Sequence, residues 1–419
     1  MVIDGKLIIR PIASERQARN AFADKFALRF PLILASQGEL APFFRPTTVL
    51  KYLFMGTVSE PVKSGVDVAM TGQRETSTAV SASSRGSDAI PPFQPHPWIK
   101  GPHLQTIVGR YWPWPRHRLP STLDLVELGG GDRTSVLDSI PPGWLPGDPA
   151  AVLVHGLGGC SRSPYVVRVG KKLAAQGIRV VRMNLRGAGA GFGLSRSFYH
   201  SGKTEDVRAV TDWLSSRAPG SPIALVGFSL GANLVLKLAG EAPDQPLKGF
   251  DCVVAANPPL DLEACCRMIQ EPHNRIYDRN FLRNLRAEVA RLHASFPDLE
   301  PVNLSAAKSL LDFDELYTAP RNGFRDASDY YSRSSAGPLI PRIEVPGLII
   351  HAADDPFIPT EPFRSIKFPE QLALELIPGG GHLGYLSRKP WKGDRRWLDA
   401  RISTWLESHW ASRVSPNPA

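Results

Sequence analysis

A serine between two glycines is the strongest chemical signal in this sequence. Gly227, Ser229 and Gly231 form the pattern G-x-S-x-G, with an apolar run before it at 223–226 and a helix-like run after it at 232–238. The bare pattern is weak, but a strand, a sharp turn and a helix around it are typical of a nucleophile elbow. The glycines leave room beside the serine backbone, and the helix N-terminus directs N–H groups at the site. The pattern therefore indicates attack of the Ser229 hydroxyl on a carbonyl carbon.

A serine hydroxyl is a weak nucleophile, so a base and an acid that orients the base must lie elsewhere in the chain. In serine hydrolases with this elbow, the acid and then the histidine follow the serine, each after a later strand. The apolar run 345–351 is followed by Asp354 and Asp355, and the run 372–377 is followed by His382. These positions lie just past strand ends, where the sites of α/β proteins assemble. We select Asp355 because it lies four residues before a proline, as in the acid loops of such hydrolases, and Asp354 stays the alternative.

Acyl transfer also needs hydrogen-bond donors for the negatively charged oxygen of the intermediate. A glycine-rich loop at 155–159 follows the first buried strand, and the backbone N–H groups of Leu157 and Leu230 are the expected donor pair. His155 is expected mainly to hold this loop. The candidates to line the site are His155, Gly156, His200 and Asn257. The sequence contains no H-E-x-x-H motif, so we expect neither a metal nor an organic cofactor.

The elements that must position these residues alternate along the chain. Short apolar runs that favour buried strands occur at 151–155, 178–185, 223–228, 252–256, 345–351 and 372–377. Helix-like runs lie between them at 165–176, 204–217 and 230–241. This alternation predicts an α/β fold with a mostly parallel sheet and helices on both faces. Upstream, the segments 123–128 and 134–140 flank three glycines and predict a β-hairpin.

A long insertion interrupts this alternation at 258–344, and its length far exceeds that of an ordinary loop. Its helix-like pieces at 260–268, 278–293 and 305–313 predict an inserted helical cap. A last helix is predicted by apolar residues at helical spacing: Trp391, Leu398, Ile402, Trp405 and Leu406. We expect a catalytic domain over 91–411 and a flexible tail over 412–419. Residues 1–90 are expected to be a poorly ordered extension and Ser/Thr-rich linker, because 59–90 contain few large apolar groups.

Composition limits the possible classes of function. The 419 residues are 42% hydrophobic and 21% charged, which is enough to bury a core and excludes a mainly disordered chain. The 49 basic and 40 acidic residues leave a net charge of +9, a mild surplus that argues against a nucleic-acid binder. Residues 364–401 hold eight basic and four acidic residues, so transient contact with anionic lipid surfaces is an alternative to an ordinary solvated face.

The cellular compartment is suggested by cysteine usage and by hydropathy. The sequence has four cysteines and no C-x-x-C pair, which fits a reducing compartment. No run of 18 apolar residues occurs, so a transmembrane segment is not expected. A cytoplasmic location is the resulting expectation.

Several segments resemble the YheT-like α/β-hydrolases, a family of esterases related to the animal AB-hydrolase-domain lipases. The resembling segments are Pro95–Trp98, Gly101–Thr106, His155–Gly159, Asn184–Gly187, Tyr199–Asp206, the Ser229 elbow, Asn257–Asp261, Tyr330-Tyr331, Asp354–Phe357 and Gly381-His382. They cover roughly residues 92–411. The resemblance implies an α/β-hydrolase fold and a Ser–Asp–His hydrolase of carboxylic esters, with short-chain or acylglycerol-type substrates.

We therefore predict a serine carboxylester hydrolase that acts on a small ester or lipid through an acyl-enzyme. Two alternative functions are compatible with the same fold. An alcohol acyltransferase would pass the acyl group to an alcohol instead of water. A catalytically silent binding protein would not need Ser229, Asp355 and His382 together, so their joint presence argues against it.

Overall fold

The computed structural model describes residues 2–3, 6–7, 90–112 and 119–414. The chain divides into two units, Met1–Ser87 and Asp88–Ala419. In the first unit, the two short strands Val2–Ile3 and Lys6–Leu7 pair antiparallel. The rest of the predicted extension up to residue 89, and the last five residues of the predicted tail, lie outside the described residues.

The second unit is built around an eight-stranded sheet. Its strands are β1 (Thr122–Gly129), β2 (Asp132–Ser139), β3 (Ala150–Val154), β4 (Arg179–Met183), β5 (Ile223–Phe228), β6 (Phe250–Ala256), β7 (Gly347–Ala352) and β8 (Leu372–Ile377). Their order across the sheet is β8-β7-β6-β5-β3-β4-β2-β1. β1 and β2 form the predicted antiparallel hairpin, β2 also runs antiparallel to β4, and the remaining pairs are parallel. The predicted α/β class is therefore confirmed.

Eleven α-helices occur in the described part of this unit. They are α1 (Pro102–Tyr111), α2 (Pro164–Ala175), α3 (Thr204–Arg217), α4 (Leu230–Glu241), α5 (Leu262–Gln270), α6 (Arg275–Ser295), α7 (Leu310–Phe313), α8 (Ala319–Arg321), α9 (Ala327–Ser334), α10 (Glu361–Ser365) and α11 (Trp397–Val414). Successive side chains of β3 enter two separate apolar clusters. Val152 belongs to one cluster and Leu153 belongs to the other. Because successive strand residues face opposite sides, apolar layers cover both faces of the sheet.

The segment between β6 and β7 contains helices α5 to α9. The predicted helices at 260–268 and 278–293 correspond to α5 and α6, whereas the predicted helix at 305–313 begins only at Leu310. Helix α9 was not predicted because its sequence is mostly polar. It is stabilised by Asp326, whose side chain accepts a hydrogen bond from the Asp329 N–H, and by burial of Tyr330 and Tyr331.

The C-terminal part differs from the prediction in one respect. Trp391 belongs to a strand, Leu386–Trp391, which pairs antiparallel with Asp394–Arg396 through a turn at Gly393, where φ is +82°. The last helix therefore begins at Trp397 and continues to Val414, beyond the expected domain end at residue 411. Among the described residues, no helix is both long enough and apolar enough to cross a membrane.

Candidate active site

Ser229 occupies the sharp turn between β5 and α4. Its backbone has φ +54° and ψ −122°, a conformation that residues with a side chain rarely adopt. A methyl group at Gly227 would lie 2.3 Å from the Gly231 carbonyl oxygen, and one at Gly231 would lie 2.4 Å from the Val154 carbonyl oxygen. Both glycines are therefore required for the turn. The turn is also held by the Ser229 N–H, which donates to the Ala256 carbonyl at 2.9 Å.

His382 connects Ser229 to Asp355 through both of its ring nitrogens. Nε2 lies 2.9 Å from Ser229 Oγ, and Nδ1 lies 2.8 Å from Asp355 Oδ2. An ionised carboxylate can only accept hydrogen bonds, so Nδ1 carries the ring proton and Nε2 presents its lone pair to the serine hydroxyl. The structure thus brings the three predicted residues into one hydrogen-bonded chain.

The two adjacent carboxylates, Asp354 and Asp355, have different partners. Asp355 is only 2% exposed and accepts a hydrogen bond from Asn257 Nδ2 at 2.6 Å as well as from His382. Burial acts to raise the pKa of Asp355, but its attraction to His382 and its hydrogen bonds outweigh burial and hold this pKa below the usual value. Asp354 instead accepts from the Gly381 N–H at 2.8 Å, and burial raises its pKa. Asp355 contacts the histidine ring, whereas Asp354 holds the loop that carries the histidine.

The His382 loop packs directly on helix α1. The Thr106 hydroxyl accepts a hydrogen bond from the His382 N–H at 2.8 Å. A methyl group at Gly384 would lie 2.2 Å from the Gln105 carbonyl oxygen, so the loop and the helix backbone touch. Helix α1 was not predicted from the sequence, and it sets the position of the histidine.

Asn257 lies under the site rather than in its wall. It has a positive φ of +48° and is completely buried. Its Nδ2 donates to Asp355 Oδ2 and, at 3.3 Å, to the Gly381 carbonyl, while its Oδ1 accepts from the Tyr385 hydroxyl at 2.9 Å. The expectation that Asn257 lines the site is therefore corrected. Its side chain holds the acid and the histidine loop in one hydrogen-bond network.

His155 also lies behind the site, although we considered it a candidate to line the site. Its Nε2 accepts from the Leu185 N–H at 3.0 Å, so Nδ1 carries the proton and donates to the Gly156 carbonyl at 2.8 Å. Burial lowers the pKa of His155 to about 4, which keeps the ring neutral. Gly156 lies against Ser229, because a methyl group there would be 3.0 Å from Ser229 Cβ.

Two tyrosines hold the glycine-rich loop that follows β3. The Tyr165 hydroxyl accepts from the Gly156 N–H at 3.0 Å, and the Tyr199 hydroxyl accepts from the Gly158 N–H at 2.9 Å. Between these anchored residues, the Leu157 N–H donates to no acceptor among the described residues, and the same holds for the Leu230 N–H. Leu157 and Leu230 both line the cavity that contains Ser229.

A cavity of about 130 Å³ lies between the sheet edge and the cap. Ser229 and His382 form part of its wall. Much of the opposite wall is apolar and comes from helices α5, α6 and α7: Leu262, Ile269, Phe281, Leu285, Val289, Leu310 and Phe313. His200 also lines the cavity, and burial lowers its pKa to about 4. Asp206, which follows His200 in the chain by six residues, forms a buried ion pair with Arg186 at 2.6 Å.

Comparison with known proteins places the chain in a family. A family model described as the alpha/beta hydrolase fold matches residues 149–389. The YheT protein of Escherichia coli (strain K12), provisionally named an esterase, is 35% identical over 314 residues, which cover 73% of this chain and 90% of YheT. The monoacylglycerol lipase of Saccharomyces cerevisiae is 30% identical over 270 residues, which cover 62% of this chain and 59% of the yeast enzyme.

Among solved structures, Est1E from Butyrivibrio proteoclasticus aligns with a TM-score of 0.45 and 16% identity, over 70% of this chain and all of Est1E. The family model covers more than half of the chain, and the YheT alignment covers most of both proteins. The resemblance seen in the sequence motifs is thereby confirmed. The chain belongs to the α/β-hydrolase fold family and, within it, to the YheT-like hydrolases.

Proposed function

We propose that this protein is a serine carboxylester hydrolase in which Ser229, His382 and Asp355 cleave acyl esters through an acyl-enzyme. One observation carries the proposal: a continuous hydrogen-bonded chain from Ser229 Oγ through both nitrogens of His382 to a buried carboxylate. This arrangement activates a hydroxyl that is otherwise a poor nucleophile. Membership in the α/β-hydrolase family and the esterase and lipase relatives agree with this assignment.

The first half of the reaction forms the acyl-enzyme. Ser229 Oγ attacks the ester carbonyl carbon while His382 Nε2 takes the hydroxyl proton. Asp355 stabilises the charged imidazole and keeps Nδ1 protonated. In this proposal the Leu157 and Leu230 N–H groups donate to the negatively charged oxygen of the tetrahedral intermediate. The C–O bond to the alcohol then breaks, and His382 gives its proton to the departing alcohol.

The second half of the reaction regenerates the serine. A water molecule takes the place of the alcohol and gives a proton to His382 as it attacks the acyl carbon. The second tetrahedral intermediate uses the same N–H donors, and the proton returns to Ser229 as the carboxylic acid leaves. If an alcohol replaced the water, the product would be a new ester.

The lining of the cavity favours the binding of a largely apolar substrate. The side chains that face Ser229 across it are mostly aliphatic or aromatic, and they favour burial of a hydrocarbon chain. We therefore propose short-chain or acylglycerol-type esters as substrates. The names of the E. coli and yeast relatives, an esterase and a monoacylglycerol lipase, support this substrate class.

The test is hydrolysis of p-nitrophenyl esters with acyl chains from two to sixteen carbons, together with labelling by a fluorophosphonate probe. The wild-type protein should hydrolyse some members of the series and be labelled, and Ser229→Ala should abolish both activities. Ser216→Ala, which changes an exposed serine on α3, is the matched control and should keep both. The proposal fails if the wild-type protein shows neither activity, or if Ser229→Ala retains them.

We also propose that the enzyme works in the cytoplasm. The adjacent Cys265 and Cys266 are buried and remain thiols, and burial raises the pKa of Cys266 to about 12. Cell fractionation with an epitope-tagged chain tests the location.

Contact with anionic lipid surfaces receives less support than the sequence suggested. Within 364–401, Arg396 is buried and Arg401 pairs with Glu375, so less of the basic charge faces solvent.

A further inference from the structure

A carboxyl group with one buried oxygen that accepts no hydrogen bond from the described residues lies in the largely apolar wall of the cavity. Glu288 is on helix α6, where Phe281, Leu285 and Val289 line the same cavity. The spacing of these four positions places them on one face of the helix. Glu288 therefore occupies a position at which an amphipathic helix usually carries an apolar residue.

The environment of Glu288 leaves one oxygen of its carboxyl group without a hydrogen-bond partner in the part of the chain that the structure describes. Its Oε2 atom is buried, and no group among the described residues donates a hydrogen bond to it. Arg291 lies one turn further along α6, but its guanidinium group lies 4.0 Å from the centre of the Phe192 ring, and no hydrogen bond joins it to Glu288 Oε2. Burial raises the pKa of Glu288 to about 7, and the more distant charge of Arg291 only partly offsets this.

A buried polar atom without a partner is unfavourable, and proteins usually supply a partner unless a ligand does. Water can fill this role in the free enzyme. A substrate alkyl group that displaced the water would leave the carboxyl group without any partner. A substrate hydroxyl group would replace the water and restore the hydrogen bond. Sites built to bind a substrate hydroxyl discriminate strongly against the analogue that lacks it.

We propose that Glu288 is a specificity-determining residue that selects esters carrying a hydroxyl group on the part of the substrate that fills the cap side of the cavity. The inference rests on the proposed function, because Glu288 and Ser229 line the same cavity. The hydroxyl group donates to the Glu288 carboxyl group while the ester carbonyl lies at Ser229. The hydroxyl can belong to the alcohol part or to the acyl part of the ester.

Three esters with the same carbon skeleton separate these two sources. Propyl butyrate has no hydroxyl group, glyceryl 1-monobutyrate has hydroxyls on the alcohol part, and propyl 4-hydroxybutyrate has one on the acyl part. The wild-type enzyme should show a kcat/KM at least about tenfold higher for one hydroxylated ester than for propyl butyrate. The preferred ester identifies which part of the substrate reaches Glu288.

The variants then assign the preference to Glu288. In Glu288→Leu, the preference should fall to within about twofold of unity, and kcat/KM for propyl butyrate should rise because no carboxyl group is desolvated. Glu288→Gln retains a hydrogen-bond acceptor of similar shape and should keep most of the preference. Glu263→Leu changes an exposed carboxylate on helix α5 and should behave like the wild type. If Glu288→Leu fails to fold, Glu288→Met tests the same point with an unbranched side chain.

The outcomes separate the failure of this inference from the failure of the proposed function. Hydrolysis of all three esters at equal rates by the wild-type enzyme overturns the inference and leaves the hydrolase assignment intact. A hydroxyl preference that survives Glu288→Leu or Glu288→Met also overturns it. Absence of hydrolysis for all three esters, together with absence of fluorophosphonate labelling, overturns the proposed function itself.

Discussion

Replacing Asp355 by asparagine, with Asp354→Asn as the matched control, tests the geometry of the site most directly. The two residues are adjacent in sequence, and both are at least half-buried. Asp355 contacts the His382 ring, whereas Asp354 accepts a hydrogen bond from the backbone N–H of Gly381 in the loop that carries His382. The same isosteric change at the two positions should therefore have very different effects.

The hydrogen bonds of Asp355 determine what an asparagine would do there. Oδ1 accepts from the N–H groups of Phe357 at 2.8 Å and Ile358 at 3.3 Å, and Oδ2 accepts from Asn257 and from His382 Nδ1. If the amide oxygen takes the Oδ1 position, the amide NH2 group faces His382 and forces Nδ1 to become an acceptor. The ring proton then resides on Nε2, which can no longer accept the proton of the serine. The opposite orientation of the amide points its NH2 group at two backbone N–H donors.

The loss expected for the wrong histidine tautomer is about 10⁴-fold in kcat, or about 5.5 kcal/mol of transition-state stabilisation. At Asp354 the amide oxygen can still accept from the Gly381 N–H, so the loss should stay below about tenfold. Steady-state hydrolysis of p-nitrophenyl butyrate and the rate of fluorophosphonate labelling measure both variants. Equal losses at the two positions, or a larger loss for Asp354→Asn, would refute the assignment of Asp355 as the acid.

Three further changes test the supporting structure. Asn257→Ala removes a donor to the ionised Asp355, a bond worth about 1.5–3 kcal/mol, so fluorophosphonate labelling should slow about 10- to 100-fold. An unchanged labelling rate would contradict this role. In Gly231→Ala the added methyl group would lie 2.4 Å from the Val154 carbonyl oxygen, and urea unfolding should show a loss of more than about 3 kcal/mol. A variant as stable as the wild type would show that the turn tolerates a side chain. The pKa of Glu288 is raised to about 7 from the usual 4.5, so in this range the folded state binds a proton that the unfolded state has released, and stability falls as the pH rises. Between pH 5 and pH 8, Glu288→Gln should reduce the fall in the free energy of unfolding by up to about 3 kcal/mol. Identical pH dependence of this free energy in the variant and the wild type would exclude a raised pKa at Glu288.

The turn that carries Ser229 could be predicted from the sequence because it depends on local features of the backbone. The elbow requires glycine on both sides of the serine, and the strand before it must be continuously apolar to be buried on both faces. Both requirements leave a visible pattern in the sequence. The choice between Asp354 and Asp355 left no comparable pattern, because it depends on a turn in which the Phe357 N–H holds one carboxylate oxygen.

Residues that act through distant contacts were harder to predict. Thr106 supports the histidine loop from 276 positions earlier in the chain, and the Tyr385 hydroxyl binds Asn257 from 128 positions later. No periodicity connects such pairs. Thr106 and Tyr199 do lie in segments that resemble the YheT-like family, so the resemblance marked these segments without revealing the roles of their residues.

The cap was the least predictable part for a related reason. Its cavity wall is assembled from helices of unequal length, from 4 residues in α7 to 21 in α6, and irregular turns separate them. Ser229, Asp355 and His382 lie in turns that follow strands of the sheet, and the positions of these strands are set by continuous backbone pairing. Substitutions in the cap can therefore alter the shape and polarity of the cavity while Ser229 and His382 keep their geometry. Glu288 illustrates this separation, because it places a polar group in the cavity wall and is not part of the hydrogen-bonded chain that joins Ser229, His382 and Asp355.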